Sequence, residues 1–171
     1  FYKNGGRGVC VEPNPALHNQ IQAKRKRDVC LNAGIATNGL AELDFYIIDS
    51  HTLSTFSKED AESLTKEGTY KIQEVVKVPV FSINEVLEKY FEVRNIDLLS
   101  LDVEGLNEEI IASLDLVKFR PKVLCIETLT FSNGNQGNKI KPIAEKLVAN
   151  GYFAYADTYL NTIFIDKAIW K

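Results

Sequence analysis

Methionine is absent from all 171 residues, and there are only one tryptophan and two histidines. The chain opens on Phe1, and without a methionine anywhere this reads as a natural start lying upstream. Neither His18 nor His51 has a cysteine or second histidine at zinc-ligand spacing, which argues against a zinc site. Each reads as a surface or half-buried residue. Cysteine is scarce too. Cys10, Cys30 and Cys125 each fall inside a predicted buried strand and read as small, reduced core residues, not a disulfide framework. No apolar run approaches membrane-spanning length, and there is no signal peptide and no Asn-x-Ser/Thr sequon. These absences point to the cytoplasm and away from a membrane.

An excess of one charge is also missing. Lys and Arg number 20 against 23 Asp and Glu, a net charge of −3, so nothing recommends nucleic acid or a membrane surface as partner. The one basic cluster, Lys24-Arg25-Lys26-Arg27, closes a predicted helix, where cations suit the dipole. Internal repeats and long linkers are lacking, so residues 1–171 read as a single domain. What is present suits a globular protein with a sizeable core: 45% hydrophobic and 25% charged residues.

The organising stretch is IDLLSLDVEG, residues 96–105. Ile96, Leu98, Leu99 and Leu101 predict a strand buried on both faces. Asp102 and Glu104 fall where that strand ends, and in open parallel sheets ligands bind at the carboxyl ends of strands. A charge at the end of a buried strand calls for a partner. Two further strands end in acids: GVCVE at Glu12 and VLCIE at Glu127. In a parallel sheet all these ends share one edge.

Along the chain, GVCVE is followed by Asn14 as a helix cap and Pro15 as first helical residue, with Leu17 and Ile21 as its apolar stripe. The helix runs to about Arg27, and residues 29–31 resume as a strand, so the opening third fits a right-handed parallel crossover. Residues 41–48 and 69–81 alternate apolar and polar, and Pro79 predicts an edge position for the second of these strands. Between them lies a short polar helix capped by Ser57 and stopped by Gly68. Residues 41–81 read as a β-rich insertion within the domain. Ser82 and Glu85 form a capping box that opens a helix with Val86, Leu87, Tyr90 and Phe91 on its apolar face. Residues 107–109 place acids at the start of another helix, and residues 128–138 read as a mobile loop. A helix over residues 140–150, stopped by Gly151, leads to two strands too close in sequence for a crossover, hence an antiparallel hairpin. The result is an α/β fold with a mixed sheet.

Glu12 sits where an acid can take both ribose hydroxyls of a nucleotide, or simply enter a turn. Asn32 and Gly34 can border a purine edge with Ile35 as an apolar wall, or form a plain turn. Three roles are open for Asp102 and Glu104: holding a divalent metal with Glu127, acting as general base, or capping the helix at Leu106. The metal reading would make the chain a metal-dependent hydrolase, although histidine ligands are lacking.

In this order and spacing, GVCVEPNP, LNAGI, TLSTFS, IDLLSLDVEG and VLCIE resemble the FkbM-type S-adenosylmethionine-dependent methyltransferases. The resemblance runs nearly the whole chain, and EPNP together with SLDVEG carries its specificity. It implies a class I methyltransferase fold, a Rossmann-like mixed sheet ending in an antiparallel hairpin. It implies S-adenosylmethionine as cofactor and methyl transfer to a hydroxyl oxygen of a small-molecule or carbohydrate acceptor. By position it puts Glu12 on the cofactor ribose, and Asn32, Gly34 and Ile35 beside the adenine. Residues 102–105 fall near the methyl group and acceptor, with Asp102 and Glu104 as catalytic candidates and Asp102 also on the cofactor side. Ser54, Ser57 and Glu127 are the acceptor-side candidates. One departure stands out: the family's first strand and glycine-rich loop would precede Phe1. The alternative is therefore a non-catalytic Rossmann-like binding module, or a fragment that has lost the cofactor loop.

Overall fold

The computed structural model describes residues 1–66, 68–91, 96–103, 105–130 and 137–170; the His51 side chain lies outside the description. The chain divides into two compact units, Phe1–Phe81 and Ser82–Lys171.

In the first unit, β1 (Val9–Val11) and β2 (Val29–Leu31) pair in parallel, with Val9 opposite Val29, Cys10 opposite Cys30 and Val11 opposite Leu31. The crossover is α1 (Pro15–Lys24), capped by Asn14, whose side chain accepts from the Ala16 and Leu17 N–H groups. The helix stops short of the expected Arg27. Asp28, with a fully buried side chain, accepts from Arg25 Nε at 2.6 Å and from the Gly8 N–H at 3.0 Å, drawing the chain into a turn. The three cysteines lie in strands and are unpaired, but half-buried; the core placement expected for them is corrected. A pair of three-residue strands covers neither Cys10 nor Cys30 fully, and burial pushes the Cys10 thiol up from its ordinary value.

The segment read as an insertion forms the rest of this unit. It contains β4 (Glu42–Ile48), α2 (Lys58–Thr65) and β5 (Ile72–Phe81), while β3 (Gly34–Ile35) precedes it in what the sequence showed only as a turn. The order is β3-β5-β4, so β5 is central and the edge position inferred from Pro79 is corrected. The physical conflict resolves locally. Val80 donates its N–H to Ala41 on the β4 side, so the Pro79 nitrogen faces the other way. On that side β3 begins pairing only at Val80, where Gly34 lies opposite. No ladder bond is asked of the proline. Phe45, Ile47 and Val78 form a core cluster, with Phe56 and Val76 packed against it. Ser57 caps α2, and Gly68 follows it at φ +75°.

In the second unit, the Ser82–Glu85 capping box opens α3 (Ile83–Tyr90), which buries Ile83, Val86 and Leu87. Then come β6 (Leu98–Leu101), α4 (Asn107–Ser113), β7 (Val123–Glu127), α5 (Lys141–Ala149), β8 (Tyr152–Asp157) and β9 (Asn161–Asp166). The sheet order is β6-β7-β9-β8: β6 and β7 are parallel, and the closing hairpin adds β9 antiparallel to β7. β6 is the outermost strand here. Ser100 is exposed and Leu98 and Leu99 are half-buried, so the expectation of burial on both faces is corrected. Ile110, Ile111, Leu124, Ile126, Ile143, Leu147, Tyr152 and Phe164 form the buried interior.

The hairpin is tied down by Arg120. Its Nε and Nη2 each donate to Asp166 at 2.7 Å, and Nη1 donates to the Asn150 carbonyl. The Arg120 hydrogen bonds hold the Asp166 carboxyl below its ordinary value. Burial pushes the Tyr152 phenol beneath it up to about 12, and that hydroxyl donates to the Pro121 carbonyl.

The protein is thus a mixed α/β fold with a terminal antiparallel hairpin. Among the described residues its strands form three hydrogen-bonded sheets instead of the one continuous sheet expected, two of them mixed.

Candidate functional site

In the first unit the notable feature is the turn from β1 into α1. Glu12 follows the last residue of β1, and its own N–H donates to Leu31 of β2, so the strand pair extends up to it. The Glu12 carboxylate folds back and its Oε1 accepts from the Asn14 N–H at 2.8 Å. The Asn32 amide, just past β2, donates to the Glu12 carbonyl at 3.0 Å and the Pro13 carbonyl at 2.9 Å. Glu12 and Asn32, read separately from sequence, are thereby brought together. Asn32 acts by clipping the turn.

Asn14, read from sequence only as a helix cap, is a further member of this turn. It is 2% exposed. Its Oδ1 accepts from the Ala16 and Leu17 N–H groups, which fixes which end of the amide is oxygen. The other end, Nδ2, is buried without a hydrogen-bond partner. An N-cap is worth about 1 kcal/mol. A buried, unsatisfied donor costs about 1–3 kcal/mol. Aspartate or serine would cap equally well and carry no such donor. The sequence signal was the choice of asparagine itself, which the cap reading alone does not require.

Gly34 and Ile35 are buried in β3. A Cβ on Gly34 would lie 2.3 Å from Phe56 Cζ and 2.7 Å from Cε2, so the absence of a side chain there makes room for the ring. Ser54 Oγ accepts from the Ile48 N–H at 3.1 Å, and Ser57 Oγ accepts from the Asp60 N–H at 3.1 Å. Both hydroxyls therefore brace backbone.

The second unit presents Asp102 and Glu127 at the ends of the parallel neighbours β6 and β7. Asp102 is exposed, so the partner called for by a charge at the end of a buried strand is not needed: an outermost strand leaves its end in solvent. Nor does it cap α4: the N-cap position is Leu106, whose side chain makes no capping bond. Glu104 lies outside the described residues. Gly105, at φ +79°, turns the chain where glycine is favoured.

Asn107 joins these two strand ends. It is 2% exposed, accepts from the Val103 N–H at 2.9 Å and donates from Nδ2 to Glu127 Oε2 at 3.1 Å. Past Glu127, the buried Thr128 and Thr162 hydroxyls lie 2.7 Å apart. Lys139 donates to Thr128 at 3.0 Å and to Asp157 at 2.7 Å, holding the Asp157 carboxyl below its ordinary value. These bonds pin both shoulders of the loop read over residues 128–138, whose middle, 131–136, lies outside the described residues. Among the described residues no three His, Cys, Asp or Glu side chains gather to hold a metal ion, and no helix is long and apolar enough to cross a membrane.

The arrangement can therefore offer a hydrogen-bond-accepting carboxylate in the same turn as an unsatisfied amide donor in one unit, and a solvent-facing acid and an amide-held acid at the ends of neighbouring strands in the other. A family model described as the methyltransferase FkbM domain matches residues 1–154. No curated protein and no solved structure matches.

Proposed function

Because the chain belongs to the FkbM methyltransferase family, we propose that it transfers the methyl group of S-adenosylmethionine to a hydroxyl oxygen of a small-molecule or sugar acceptor. The observation that carries this reading is the family match across residues 1–154, which takes in the Glu12 turn and the ends of β6 and β7. The first-unit turn fits a nucleoside. A carboxylate steadied by a backbone N–H accepts from hydroxyls, and an unpartnered amide donor is buried alongside it. Glu12 would hold the ribose, and Asn32 would keep the turn in place.

When bound, the cofactor supplies an electrophilic methyl carbon on a sulfonium, which leaves as a neutral thioether and needs no acid. The protein's task is then to aim an acceptor oxygen and to take its proton. Holding the two reactants in line accounts for much of such a rate. We assign proton acceptance to Asp102, exposed at the end of β6, and acceptor orientation to Glu127, steadied by Asn107.

Calorimetry with S-adenosylhomocysteine and transfer of a labelled methyl group to a panel of sugars and hydroxylated small molecules test the reading. Micromolar binding and label on oxygen are expected. Asp102→Asn should lower kcat by about 10²–10⁴-fold. A protein that neither binds the nucleoside nor moves label would be a non-catalytic module.

A further inference from the structure

We propose that the Asn14 side-chain amide is a ligand-binding group, whose Nδ2 donates to a ribose hydroxyl oxygen of the nucleoside that Glu12 engages. This rests on the cofactor reading above and adds to it a recognition residue. Three observations carry it. Asn14 is 2% exposed and its Nδ2 has no partner, in a turn whose other amides are fully engaged. Its Oδ1 is committed to two helix N–H groups, so the amide cannot rotate to relieve the nitrogen without abandoning the cap. And Glu12 Oε1 accepts from the Asn14 backbone N–H at 2.8 Å, so the carboxylate and the side-chain amide belong to one turn. A hydroxyl both gives and accepts hydrogen bonds, so such a pair suits a sugar diol. Neither group alone recognises both sides of it. The nitrogen is covered in the ligand-free chain, so the incoming oxygen reaches it as the clipped turn moves together with the ends of β1 and β2.

The test uses Asn14→Ser and Asn14→Asp, which keep a capping oxygen and lose the donor, with Asn14→Ala as the variant that loses both. The Glu12 bond is to a backbone N–H and survives every substitution. Adenosine, 2′-deoxyadenosine and 3′-deoxyadenosine are titrated by calorimetry, with melting of each ligand-free protein in parallel. Asn14→Ser should melt at or above the wild-type temperature yet bind adenosine about tenfold more weakly. The loss should vanish for the one deoxynucleoside lacking the hydroxyl that Asn14 meets. Asn14→Ala should lose both stability and affinity. Equal adenosine affinity in wild type and Asn14→Ser, or the same loss with all three nucleosides, overturns the Asn14 assignment and leaves the cofactor reading standing. Failure of the wild type to bind adenosine or S-adenosylhomocysteine overturns both.

Discussion

Replacing Gly34 with alanine separates packing from ligand contact at a position that the sequence placed beside the adenine. The new methyl would sit 2.3 Å from Phe56 Cζ and 3.2 Å from Val80 Cγ1, so the ring must retreat by more than an ångström. It has little room to do so, because Phe56 packs at a tilt against Phe45 with centroids 4.8 Å apart and lies against the core cluster with Ile47 and Val78. Overpacking of this kind costs about 1–3 kcal/mol. Against it stands a gain of about 0.4–1 kcal/mol from restricting the unfolded chain, since the β3 backbone at Gly34 is open to alanine. The net expectation is a loss of about 1–2 kcal/mol, or roughly 2–8 °C in Tm for a chain of this size. Phe56→Leu removes the two ring atoms that collide, at a cost of its own of about 1–2 kcal/mol. In that background Gly34→Ala should become neutral or stabilising. Urea unfolding of the four proteins closes the cycle, and nucleoside titration of the double variant should match that of Phe56→Leu. The packing argument fails if Gly34→Ala costs as much without the ring as with it.

Asp166→Asn leaves the Arg120 guanidinium without its carboxylate. With Arg120 29% exposed, the loss should be about 2–3 kcal/mol at neutral pH, below the range for a fully buried pair. The sign with pH follows from Arg120 lowering the folded-state value of Asp166. The contribution is complete above the unfolded value of about 3.9 and is lost as pH falls through the folded one. Acid titration of stability below about pH 4 should therefore be shallower in Asp166→Asn, and equal slopes would refute the linkage. Gly151→Ala meets a different obstacle. At φ +84° the left-handed backbone costs a Cβ about 1–2 kcal/mol, and that Cβ would also lie 3.1 Å from Arg120 Nη2. Thermal melting should show the loss, and a melting point unchanged from wild type would remove the strain argument.

Features fixed by chemistry within a few residues were legible before any coordinates. Asn14 with Pro15, Ser57, the Ser82–Glu85 box, and Gly68 and Gly151 as stops all work through side chain and backbone a turn apart. What depends on distant pairing was not legible. The two residues of β3 are too few for a periodic pattern, and Pro79 looked like an edge because nothing local reveals which side of a central strand its nitrogen faces. The site divides the same way. The place of Glu12 at the end of β1 was legible from the apolar run before it. Asn32 and Asn107 act through amide bonds that span some twenty residues, so their roles emerged only with the register. The strand leading to Asp102 was misjudged as buried on both faces because an apolar run says nothing about whether its strand has a neighbour on each side.

The Asn32 clip has a kinetic consequence. Both hydrogens of its amide hold successive carbonyls of the Glu12 turn, and Asn32 directly follows β2. The turn thus has no opening motion of its own; it comes apart when the two short strands part. A two-stranded sheet of three residues each is a weak unit by itself. Amide hydrogens at Glu12 and Asn14 should then exchange at the same rate as those of β1 and β2, and a bound nucleoside should slow all of them together.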